Sequence, residues 1–190
     1  MATAIQTWIS FAIQQMAAES YLHRVGLGGL SLSDVLKLGN NNDPSALPGD
    51  ADLSGKTRFV DLSGLPNASQ VTASAQGFIS RYQIVNHHAN DATGFSATLM
   101  QERGTNNFTL SFRGTEYPNQ SQGGDWERDG LPGADGEIFF KGFAFGQLVS
   151  MEKYYQKLKA DGWLPQGATL NVTGYSWRPP GDGLHGAACG

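Results

Sequence analysis

The stretch that most limits what this chain can fold into is Ala168-Thr169-Leu170-Asn171-Val172-Thr173, running into Gly174-Tyr175-Ser176. Its β-branched residues favour a short strand. A strand that closes on Gly-x-Ser can turn sharply toward a helix and leave the serine Oγ exposed at the carboxyl edge of a sheet. Such a turn needs small residues two before and two after the serine, because a Cβ would clash where the backbone folds back. Gly174 meets the first requirement. Arg178 stands at the second position and is followed by Pro179-Pro180, so the motif is begun and not completed.

The segments before it alternate between helix and strand. Ile5, Trp8, Ile9, Ala12, Ile13, Met16 and Ala17 recur at helical spacing and predict one apolar stripe on a helix over 3–24. A second helix is expected from Leu32 to Leu38, with Ser31 as N-cap and Gly39 as terminator. A third is expected from Asn67 to about Tyr82, with Val71, Ala75, Phe78 and Ile79 inward, and then a strand from Tyr82 to His87. Phe95, Ala97 and Leu99 alternate with polar residues, as do Phe108, Leu110 and Phe112. With Gly104 to Asn107 between them they read as an antiparallel hairpin. A helix is expected from Phe143 to Ala160, with Phe143, Leu148, Met151, Tyr155 and Leu158 inward. This order of elements is an α/β plan.

Three stretches are candidates for chemistry outside that frame. Residues 39–67 are an irregular loop in which Phe59, Val60 and Leu62 still require burial. Within it, Asp50-x-Asp52-x-Ser54-Gly55, with Asp61 at the twelfth position, imitates a calcium loop. Pro48-Gly49 removes the flanking helix, and an ordinary polar loop is the favoured reading. His87-His88 resembles a metal or base pair, but adjacent strand residues point to opposite faces, which favours separately hydrogen-bonded histidines. Residues 116–137 form a long polar loop, of a length that usually carries function.

Composition excludes several classes. The 190 residues carry a net charge of −4 and no run of Lys or Arg, which argues against a nucleic-acid partner. No apolar run is long enough for a membrane span, so stable membrane insertion is not expected. Met1 to Gln6 lack the basic start and apolar run of a secretory signal; export by a C-terminal signal stays open, and the compartment is not fixed. The single Cys189 has no internal disulfide partner.

Acyl transfer by serine needs an activated hydroxyl and two donors aimed at the developing oxyanion. The N–H of Trp177 follows Ser176. Thr115 follows the second hairpin strand and offers both an N–H and a hydroxyl, while Gly114 permits close backbone approach. Together with Phe112-Arg113-Gly114-Thr115, Asp125-Trp126 with Asp129, Lys141-Gly142-Phe143 and Val172-Thr173-Gly174-Tyr175-Ser176, the stretch from Gly94 to Ser176 resembles the class 3 lipase family. The resemblance implies an incomplete α/β-hydrolase-like sheet with N-terminal helices over 1–176. It implies a lipid or carboxylic-ester substrate and an acyl-serine mechanism that uses no cofactor. Ser176 matches the family nucleophile, Thr115 its oxyanion residue, and Arg113 with Asp125 a supporting ion pair.

The family continues with Leu-Gly-Gly and a histidine, where this chain has Trp177-Arg178-Pro179-Pro180. If UCG CUG GGC GGC CAC CUG GCG ACG GC encoded the family pattern, deleting one C and one G after the serine codon gives UGG CGG CCA CCU GGC GAC GGC. That translates as Trp-Arg-Pro-Pro-Gly-Asp-Gly, the sequence of Trp177 to Gly183. Residues 177–190 are accordingly expected to be an aberrant, frameshifted Pro/Gly-rich tail. In this architecture the acid and base follow the serine; here only Asp182 and His185 do. The expectation is a hydrolase by descent with negligible turnover, and the alternative is a non-catalytic binding module using the 116–137 loop.

Overall fold

The hairpin sits at the centre of a four-stranded sheet. The computed structural model describes residues 4–39, 59, 75–113 and 145–174. In chain order these form α1 (Ala4–Glu19), two 3-10 turns (Leu22–Arg24 and Leu27–Gly29), α2 (Leu32–Leu38) and α3 (Ala75–Arg81). There follow β1 (Tyr82–His88), β2 (Ala97–Glu102), β3 (Asn107–Phe112), α4 (Phe145–Ala160) and β4 (Thr169–Gly174). The strand order is β1-β2-β3-β4. β1–β2 and β2–β3 are antiparallel pairs, and β4 runs parallel to β3, so the fold is mixed α/β.

Local chemistry accounts for the element ends. Ser31 and Asp34 close a reciprocal capping box at the start of α2, with Ser31 Oγ accepting from Asp34 N at 3.2 Å and Asp34 Oδ2 accepting from Ser31 N at 2.9 Å. Gly39, at φ 61°, ends the helix in a backbone conformation that side chains disfavour. The first helix is shorter than its apolar spacing predicts. Tyr21 N leaves the helical ladder to donate to Gly39 O at 3.2 Å, and the chain tightens into 3-10 geometry from Leu22.

Each face of the sheet has its own core. On one side Ile13, Ala17, Leu22, Val35, Leu36, Phe59, Phe78, Tyr82 and Met100 pack together. Phe59 meets Phe78 with ring centroids 5.5 Å apart, which answers the burial expected of it from the irregular loop; Val60 and Leu62 lie outside the described residues. On the other side α4 lays Tyr154 and Leu158 against Ala97, Leu99, Phe108 and Leu110. A bulge in β1 shifts the register between Ile84 and Asn86. Asn86 consequently faces α4 and accepts from Tyr154 Oη at 2.9 Å.

Two helix faces differ from expectation. Ile13 and Ala17 join the core, but Ile5, Trp8 and Ile9 are 71, 60 and 49% exposed. The apolar stripe of the first half of α1 therefore turns outward, because the half of the sheet beneath it is polar. On α4, Tyr154 replaces Leu148 in the inward row, and Leu148 is 44% exposed. The bonds of Tyr154 to Asn86 and of Ser150 Oγ with Thr93 Oγ1 at 3.2 Å set that rotation. Met151 and Tyr155 are half-buried as expected, and Phe143 lies outside the described residues.

Candidate functional site: the carboxyl edge of the parallel strand pair

β3 and β4 are in register from Asn107 opposite Thr169 to Phe112 opposite Gly174. Both strands thus finish side by side and release their chains at the same edge of the sheet. A parallel pair requires a crossover, which here contains α4. Carboxyl ends of neighbouring parallel strands are where α/β sheets place ligands and reacting groups.

Beneath that edge a row of polar side chains crosses the whole sheet. His87 pairs with Thr98, Thr98 with Ser111, and Ser111 with Thr173. Gln15 of α1 lies over the row. Its Nε2 donates to Phe112 O at 2.7 Å and to Glu19 Oε1 at 2.9 Å, while its Oε1 accepts from Ser111 Oγ at 2.7 Å and Thr173 Oγ1 at 3.3 Å. Two donated and two accepted bonds use the full capacity of a side-chain amide. One buried residue thereby ties the ends of both parallel strands to α1.

The basic groups beside the row are held by burial and by one another. His87 Nδ1 shares a 2.9 Å hydrogen bond with Thr98 Oγ1, and its ring stacks on His23 with centroids 6.5 Å apart. Burial, followed by the nearby His23, Arg113 and His88, pushes the His87 pKa down to about 4. His23 is lowered by burial and then by Arg113 and Arg24. Both rings are consequently neutral at neutral pH. The Arg113 guanidinium lies over the Tyr21 ring at 5.2 Å, and the Arg113 backbone N–H donates to Ser96 O at 3.0 Å. His88 faces the other side of the sheet and meets Asp91 at 3.3 Å, so the two adjacent histidines are separated by the pleat as expected.

Of the sequence candidates, Arg113 and Gly174 fall among the described residues and stand at this edge. A Cβ added at Gly174 would meet Phe112 at an ordinary 3.7 Å, so packing against β3 does not itself demand glycine there. Gly114, Thr115, Asp125, Ser176, Trp177, Asp182 and His185 lie outside the described residues, as do the calcium-like Asp50, Asp52 and Asp61 and the 116–137 loop. Among the described residues no cluster of His, Cys, Asp or Glu could hold a metal ion, and no helix is long and apolar enough to cross a membrane.

Gln15 and the Thr98, Ser111 and Thr173 row were not singled out from the sequence. The available signal was the alternation in β3, where Asn107, Thr109 and Ser111 oppose Phe108, Leu110 and Phe112, leaving one face that only a polar helix surface can cover. No family model, curated protein or solved structure matches the chain.

Proposed function

We propose that the chain carries the nucleophile-bearing portion of a serine ester hydrolase of the class 3 lipase type, acting by descent on lipid or other carboxylic esters. What supports this reading is the register of the parallel pair. Phe112 lies opposite Gly174, so the segment entering Thr115 and the segment entering Ser176 start from adjacent points on one edge. In the proposed chemistry Ser176 Oγ attacks the ester carbonyl, the alcohol leaves, and water later releases the acid. Thr115 and the Trp177 N–H donate to the oxyanion. Arg113 and Asp125 support the loop that carries Thr115.

The hydroxyl also needs a base, and a serine without one is a poor nucleophile. Downstream of Ser176 the 190 residues offer only Asp182 and His185, within a stretch broken by Pro179, Pro180, Gly181 and Gly183. We therefore infer that these 190 residues by themselves hydrolyse esters only negligibly. The test is p-nitrophenyl ester hydrolysis by the chain and by Ser176→Ala. Equal background rates are expected, and robust turnover abolished by the substitution contradicts the inactive reading. The gene's nucleotide sequence beyond codon 176 tests the descent. An alternative frame that continues into the family pattern supports it, and one that does not refutes the frameshift.

A further inference from the structure

The opposite end of the same sheet face holds a second feature. The C-terminal half of α1 is buried against the sheet, whereas residues 4–9 are all exposed. Between that lifted half and the amino ends of β3 and β4 lies a cavity of about 400 Å³. Its floor is Asn107 and Thr109 of β3 with Thr169 and Asn171 of β4, and Thr7 and Ser10 of α1 stand in its wall. A volume of this size falls within the range of small-molecule sites.

We propose that this wedge between α1 and the amino ends of β3 and β4 binds a neutral polyhydroxylated ligand, a mono- or disaccharide. Thr109 is only 4% exposed, and its hydroxyl has no hydrogen-bond partner among the described residues that line the cavity. The Thr109 oxygen keeps access to solvent, so a ligand hydroxyl entering the cavity would take the place of water on it. Asn171 Nδ2 donates to Phe108 O at 3.3 Å, which directs donating capacity to the backbone and keeps Oδ1 as an acceptor. Amides and hydroxyls set close together match vicinal sugar hydroxyls, each of which both donates and accepts.

Charge and shape narrow the class further. The charged side chains of the lining, Arg81 and Glu102, neutralise each other through a 3.0 Å ion pair. A phosphorylated or carboxylated ligand would find no uncompensated cation among the groups that line the cavity. Phe11 and Tyr82 add apolar surface against which the C–H face of a sugar ring can rest. The site lies at the end of the strands away from Phe112 and Gly174, so it stands or falls independently of the ester-hydrolase reading.

The test is an NMR titration of the full 15N-labelled chain with D-glucose and maltose, and with glucose 6-phosphate as the charged comparison. Saturable shifts of the Asn107 and Asn171 side-chain amides are expected with a neutral sugar. Thr109→Val and Asn171→Ala should each weaken binding by roughly tenfold. Should the buried Thr109 variant fail to fold, the half-buried Asn171→Ala decides. Absence of saturable shifts with both neutral sugars, tighter binding of glucose 6-phosphate, or undiminished affinity in Asn171→Ala overturns the proposal.

Discussion

Gln15 Nε2 lies 2.7 Å from the carbonyl oxygen of Phe112, the last residue of β3. With the bonds to Ser111, Thr173 and Glu19, this contact makes one amide of α1 the brace of both parallel strand ends. Replacing it removes four hydrogen bonds at a largely buried edge, and a polar group orphaned there costs about 1–3 kcal/mol. Gln15→Leu should lower the unfolding free energy by roughly 3 kcal/mol in urea titration with an unchanged m-value. A loss within experimental scatter would show that the network does not hold the edge.

His87 makes stability fall on mild acidification. Its pKa is about 4 in the fold against 6.5 for the free side chain, so the unfolded chain binds more protons between those values. The contribution is fully present above pH 6.5 and is lost as pH falls toward 4. The difference of about 2.5 units corresponds to roughly 3 kcal/mol at most. The facing groups are His23 and Arg113, with His88 beyond the pleat. Denaturant titrations from pH 7 to pH 4 should show this slope in the native chain and a shallower one in His87→Gln. Equal slopes would mean that the imidazole is not held neutral.

The rotation of α4 is open to a paired test. Leu158 is 1% exposed in the core and Leu148 is 44% exposed. Leu158→Ala should cost about 2–5 kcal/mol. Leu148→Ala should stay within about 0.5 kcal/mol of the parent. The reverse ranking would restore the inward row expected from sequence spacing alone.

Much of the frame was legible from residue pattern. Ser31 and Gly39 bound α2 where capping chemistry places them, and strict alternation located β2 and β3. The β-branched run at Thr169 to Thr173 is β4, and its Val172 is 56% exposed on the last strand of the sheet. What periodicity could not supply was direction. A stripe such as Ile5, Trp8 and Ile9 marks one side of a helix, but which side is covered depends on the surface opposite. Here that surface is the polar face of β3 and β4, so Ser10 and Gln14 turn inward instead. The β1 bulge and the four bonds of Gln15 are likewise set by cross-strand register, which no local window contains. The strand ends of the candidate edge were legible too, while the residues proposed to react lie just past the described ends of β3 and β4.

The central claim is that Thr115 and Ser176 meet across the edge defined by Phe112 and Gly174, and a distance measurement tests it without requiring activity. Spin labels at Thr115→Cys and Ser176→Cys in a Cys189→Ser background report their separation by electron paramagnetic resonance. Strong dipolar broadening in the doubly labelled chain, absent from either single label, is the predicted result. Spectra that simply sum the two single labels would place the residues apart and contradict the account.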